Sequence, residues 1–266
     1  MNKILYALIF MMVLGSASIL SAQDDGGDLS RFRFGAQLSP VAAWMTSDKS
    51  QIKGGGLVVG MKLGALGEYN FAKNYSLTFG IGFGFNQGGK LQFPQGGNLL
   101  PKSELAEIPE DFRRNLPSDT KITYKLTYIE FPFSLKMRTR EYGYVRYFVE
   151  APIITLGGLT AAKANIDAAN IDVNKQKIKD DMKRLNAQWG LGAGMEYNFS
   201  QDNALGIGLY YNQGFFDLTK NYGDLPVRAL SDEVAISYLI PFHPDYLVIA
   251  ALFYRLHQGC SIIRRD

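Results

Sequence analysis

The chain has a single cysteine, Cys260, and only two histidines, His243 and His257, in 266 residues. One cysteine excludes an internal disulfide, and its distance from the N-terminus excludes a lipid-attachment cysteine there. Both histidines lie at or beyond the end of the last expected strand, which leaves none for a Ser-His-Asp triad or a histidine-rich metal site within the fold. Charge of one sign is also missing: 28 Lys and Arg face 25 Asp and Glu, a formal +3. With no basic run, no nucleic-acid partner is implied. After the N-terminal stretch Ile4 to Leu14 there is no apolar run long enough for a membrane helix, so any later insertion into a bilayer must be by strands.

What is present is alternation, clearest from Leu57 to Asn86. Leu57, Val59, Met61, Leu63, Tyr69 and Phe71 share one parity, against Lys62, Gly64, Glu68 and Asn70 on the other. After Ala72-Lys73-Asn74 the split recurs, with Tyr75, Leu77, Phe79, Ile81, Phe83 and Phe85 opposing Ser76, Thr78, Gly80, Gly82 and Gly84. Period two specifies strands. A soluble sandwich would carry bulky charged residues on its polar face, whereas here that face is mostly glycine, as suits a narrow interior. A long aromatic outer face around a small, polar inner face predicts an all-β fold: a transmembrane barrel. The Gly80-x-Gly82-x-Gly84 and Gly190-x-Gly192-x-Gly194 series lie inside strands and lack the dinucleotide-binding spacing, so no cofactor is expected.

Asn2-Lys3, the apolar Ile4 to Leu14 and the small residues Ser16 to Ala22 read as a secretory signal peptide cut after Ala22, followed by a polar lead over 23–30. Eight strands then follow, over residues 31–44, 57–71, 75–86, 121–138, 144–156, 188–199, 204–216 and 232–242. Pro132 lacks a ladder donor, which predicts a bulge or a break in pairing there. Thr123, Lys125 and Thr127 share the lipid parity of the fourth strand, so its first half should rise above the membrane. Short helices are expected between Ser103 and Arg114 and over Asn174 to Asn186.

Connections alternate long and short. Outer-membrane barrels have short periplasmic turns and long extracellular loops, and an even strand count puts both termini in the periplasm. The expected barrel is therefore eight-stranded and antiparallel over 31–242, with a tail over 243–266. Tyr246 to Leu256 is an alternative closing strand; Asp232 to Phe242 is preferred because it alternates more cleanly and ends on an aromatic.

Lys62, Glu68, Glu130, Lys136, Arg138, Arg146, Glu150 and Glu196 all fall on lumen parity with nearly balanced signs. Buried charges of this kind must pair, which predicts an ionic plug.

Tyr128-Ile129-Glu130-Phe131-Pro132-Phe133 in the fourth strand and Tyr147-Phe148-Val149-Glu150-Ala151 in the fifth, on this eight-strand pattern, resemble the PorT-type outer-membrane β-barrel family of Bacteroidetes. The resemblance implies an outer-membrane location and, from the family's namesake, a part in type IX protein secretion. Function should reside in the loops. Gln87 to Thr120 and Gly157 to Ala187 are the expected contacts for protein partners, with outer-membrane lipid around the barrel. Three readings stand: a non-enzymatic scaffold or interaction protein, a small pore, and a membrane-embedded enzyme using carboxylates such as Glu130 and Glu150.

Overall fold

The structure is a computed structural model that describes residues 32–47, 52–103, 108, 112, 115–169, 171–198, 204–219 and 229–242, the last of these by backbone alone. The signal segment, the polar lead, the alternative closing strand and most of the expected helix between Ser103 and Arg114 lie outside the described residues.

The described residues form ten strands, β1 Phe32–Ser47, β2 Lys53–Gly56, β3 Val58–Ala72, β4 Tyr75–Phe93, β5 Thr120–Arg138, β6 Val145–Ala168, β7 Ile171–Lys177, β8 Leu185–Asn198, β9 Ala204–Gly214 and β10 Ala229–Phe242. Eight of them make a closed antiparallel ring in the order β1-β3-β4-β5-β6-β8-β9-β10, because β4 pairs with β5 and β10 pairs with both β9 and β1. Closure leaves no unpaired edge in the ring. The two shorter strands, β2 and β7, extend the sheet outside it, on β4 and β6.

The ring carries its apolar side chains outward. Phe79, Phe83, Phe131, Phe133, Leu191 and Leu209 are all exposed to the surroundings. Aromatic pairs mark both ends of this band: Phe32 with Tyr69, Phe71 with Tyr75 and Tyr144 with Tyr197 at the short-turn end, Trp44 with Tyr211 at the other. From Phe32 to Trp44 the strand runs about 40 Å at 3.3 Å per residue, or about 30 Å of height at the usual barrel tilt. That matches the thickness of a bilayer's hydrocarbon core.

Strand β5 shows how the same sheet serves two solvents. From Arg138 back to Glu130 its inward side chains are Arg138, Lys136, Ser134 and Glu130, and its outward ones Met137, Leu135, Phe133, Phe131 and Ile129. Beyond that height both faces exchange polarity. Tyr128, Leu126, Tyr124 and Ile122 are buried inside, while Thr127, Lys125, Thr123 and Lys121 point out. In hydrocarbon the outside must be apolar; above it the outside meets water, and the interior becomes the place where apolar area is removed from water. The resulting core joins β4, β5 and β6 to Leu100, Ile108, Leu116, Ile178, Met182 and Leu218, which cap the barrel mouth opposite the short turns.

Several sequence expectations are corrected here. The helix over Asn174 to Asn186 is instead β7 followed by the single 3-10 turn Lys179–Asp181, and β6 does not stop at Leu156 but runs to Ala168. Ala162, Ala164, Ile166 and Val173 face the cap core with period two, so strand pairing wins over the weaker helical spacing. Strand β4 continues through Gln87 to Phe93, and β2 forms within the connection between the first two expected strands. At Pro132 the ladder to β4 is interrupted with no change of register; the bulges lie elsewhere, as at Phe85 and Asn86, where Asn86 has φ 55°. A second irregularity at Ala151 and Pro152 reverses parity along β6, so Ile153 points inward and Ile154 outward.

The orientation can be tested with single cysteines in a Cys260→Ser background. A membrane-impermeant maleimide added to intact cells should label Lys163→Cys on the cap and leave Tyr142→Cys, at a short turn, unlabelled until the outer membrane is opened. The reverse pattern would invert the barrel.

Candidate functional site: the lumen and its cap

Glycine makes room for the lumen's contents. Tyr210 and Phe148 lie across the inner wall at Gly208, where an added Cβ would come within 2.8 Å of the Tyr210 ring and 3.0 Å of Phe148. Gly64 and Gly82 face one another on β3 and β4, and a Cβ on either would meet the neighbouring strand's backbone at 2.9 Å.

The lower tier of the lumen is a five-membered ion cluster. Lys136 Nζ lies 2.7 Å from Glu68 Oε1 and 2.6 Å from Glu196 Oε1. Arg138 donates through Nε to Glu196 at 3.0 Å, through Nη1 to Ser76 at 2.7 Å, and through Nη2 to Glu68. Arg33 Nη1 completes it at 3.4 Å from Glu196 and 3.5 Å from Glu68. Lys136 also sits 4.3 Å from the Phe148 ring centroid, where the π face adds attraction. Glu196 is wholly buried.

A second tier lies above it. Lys62 pairs with Glu130 at 3.1 Å, and Glu150 accepts from Ser134 at 2.8 Å. These groups border a small chamber shared with Thr78, Thr155 and Tyr210.

Seven of the eight residues expected in the lumen therefore occupy it, and Arg146 does not join them. It stands at the short-turn end, paired with the exposed Glu141 at 2.8 Å. Arg33 takes its place in the network. The inward parity of Arg33 on β1 was the available signal. With that exchange the side chains described in the lumen include four cations, Arg33, Lys62, Lys136 and Arg138, and four carboxylates, Glu68, Glu130, Glu150 and Glu196. Equal and opposite charge is what a water-poor interior requires.

Among the described residues of the cap, Asp181 is a buried acid. Asp181 accepts from the backbone N–H of Lys102 at 3.1 Å and from the Ser103 hydroxyl, tying the segment after β4 to the turn after β7. Burial, reinforced by the negative charge of Asp181, raises the Tyr124 phenol above its ordinary range, so it remains neutral. Among the described residues no three His, Cys, Asp or Glu side chains gather in a way that could hold a metal.

The family model described as outer membrane protein beta-barrel domain matches residues 21–220. Solved structures with similar folds include Neisserial surface protein A, 14% identical over 79% of this chain and 97% of that one, with a TM-score of 0.38. They also include Ail of Yersinia pestis, 11% identical over 81% of this chain and 100% of that one, TM-score 0.38. The outer membrane protein OprG from Pseudomonas aeruginosa is 9% identical over 83% of this chain and 100% of that one, TM-score 0.40. No curated protein matches the chain.

Proposed function

This chain belongs to the outer membrane protein beta-barrel domain family, and we propose that within it the protein is a non-enzymatic scaffold or interaction component of the PorT type, exported by a cleaved signal and serving protein secretion. One observation carries the reading: the lumen is obstructed twice, by the buried ion cluster and by the apolar core above it. A path for solute would have to break both. Glu130 and Glu150, the carboxylates a lumen enzyme would use, are each already engaged, by Lys62 and by Ser134. What remains for function is the cap, a sheet extension built on β4, β5 and β6 and held rigid by its own core. Such a platform suits protein contact.

Two measurements on the full-length protein test this. Reconstituted in planar bilayers it should give no discrete conductance steps. Cross-linked in intact outer membranes through residues on the cap, it should carry a defined protein partner through purification, with components of a secretion apparatus the expected class. Reproducible single-channel steps would replace the scaffold by a pore, and turnover of a lipid or peptide substrate would replace it by an enzyme.

A further inference from the structure

We propose that the outer face of the cap, just above the membrane, is a binding site for the phosphate groups of outer-leaflet glycolipid, formed by Lys125, Lys163 and Lys177 in a single cross-strand row. The register places them there: Lys125 on β5 is directly opposite Lys163 on β6, which is directly opposite Lys177 on β7. All three lie on the outward face, Lys163 and Lys177 exposed and Lys125 partly so. Lys90 on β4, opposite Thr123, adds a fourth ammonium one step diagonally from Lys125.

Residues directly opposite in antiparallel strands have Cβ atoms about 5 Å apart, and like charges so placed destabilise the sheet. The sheet compensates elsewhere. In the next charged row outward Lys121 faces Asp167, which faces Asp172, so a cation there has a carboxylate beside it. The row nearer the membrane has no such acid among the described residues. An uncompensated line of ammonium groups is the arrangement that an external anion would neutralise.

Height identifies the anion. The outward apolar run ends at Ile129 on β5 and at Leu156 on β6. Lys125 is four residues beyond Ile129, about 13 Å along the strand and about 10 Å in height once tilt is included. Lysine stems reach further still toward the interface, keeping their methylenes on apolar surface and their ammonium groups at the polar layer. At that level the anions in reach are headgroup phosphates, and point charges spaced by the strand separation suit several phosphate oxygens on one headgroup. The inference rests on the extracellular placement of the cap, and on nothing about which protein the cap contacts.

The test uses the full-length folded protein in zwitterionic detergent, with bisphosphorylated lipid A as the probe and retention read by native mass spectrometry. Wild type should retain lipid A, and the dephosphorylated lipid should not be retained. Lys125→Gln/Lys163→Gln/Lys177→Gln should weaken binding on the order of 100-fold, since each lysine near an anionic surface contributes about fivefold. The corresponding triple Arg variant should keep it. Single Lys163→Gln, the centre of the row, should show a partial loss even if the triple variant folds poorly, and the heat-modifiable gel shift reports folding for each. Equal retention by wild type and the Gln variants would overturn the site. Displacement of lipid A by millimolar inorganic phosphate would make it a site for the free ion. Heparin binding with no lipid A retention would assign the row to a polysaccharide and overturn the lipid. Failure to find a protein partner for the cap would leave these outcomes unchanged, so the two readings fail separately.

Discussion

Replacing Glu196 by Leu should lower the stability of the folded barrel by about 3 to 5 kcal/mol, the cost of removing one partner from a buried ion pair. In this protein the loss falls on three cations at once. Among the described ion pairs, Lys136 and Arg138 would each keep the one to Glu68, and Arg33 its longer contact with that same carboxylate. The surrounding wall offers Arg138 the neutral acceptors Ser76 and Asn70. The effect is read as a shift in the urea midpoint for unfolding from lipid vesicles, or as a lower temperature for the heat-modifiable gel shift. A second substitution separates charge from packing. Lys136→Met in the Glu196→Leu background removes both members of one ion pair and should recover most of the loss, because a buried pair replaced by apolar groups is often close to neutral. If the double variant instead loses the sum of the two single effects, the sites are uncoupled and the cluster does not stabilise through its pairs. Glu141→Gln, which removes the exposed partner of Arg146, serves as the contrast and should change stability by less than about 1 kcal/mol.

The barrel was legible in the sequence wherever lipid imposes alternation. Along β3, β4 and β8 the outward residues are large and the inward ones small or polar, and each position in a period-two pattern then has only one place to go. The same parity gave Glu68, Lys136, Arg138 and Glu196 as lumen residues. Side-chain partners are a different matter. Arg33 and Glu196 are 163 positions apart and meet only because the ring closes.

The cap was harder to read because water, unlike hydrocarbon, does not demand apolar side chains outside. Above Glu130 the contrast on β5 reverses sign, and on β6 it is carried inward by residues as small as Ala162 and Ala164. Alanine contrasts only weakly with the face opposite it, so Gly157 to Ala168 looks like a loop until β5 is placed beside it. Ile171, Ile178, Met182 and Leu185 recur near helical spacing, yet Ile178 and Met182 reach the core from a turn, and Leu185 is exposed at the start of β8. Spacing alone could not separate these cases. The parity change at Ala151 and Pro152 had a local sign, since proline cannot donate to a ladder, but Pro132 carries the same sign and keeps register.

Truncation should produce the largest effect of all, because it acts on closure. A chain ending at Phe242 should still insert and show the heat-modifiable shift, whereas one ending at Ser231 should lose both. The reason lies in the two ladders of β10. It pairs with β1 from Phe34 opposite Phe242 to Ser47 opposite Ala229, and with β9 from Asp232 opposite Gln213 to Leu239 opposite Gly206. Removing residues 232 onward strips most of both ladders and opens β1 and β9 to hydrocarbon as unpaired edges. Each unsatisfied N–H or C=O there costs several kcal/mol, so a seven-stranded remnant cannot settle in the bilayer. A direct rejoining of β9 to β1 would require the strand number and stagger of the whole barrel to change together. The measurement is insertion into lipid vesicles followed by gel mobility with and without heating. Loss of insertion in the chain that ends at Phe242 would show that residues 243–266 supply something closure needs, and would return Tyr246 to Leu256 as the closing strand.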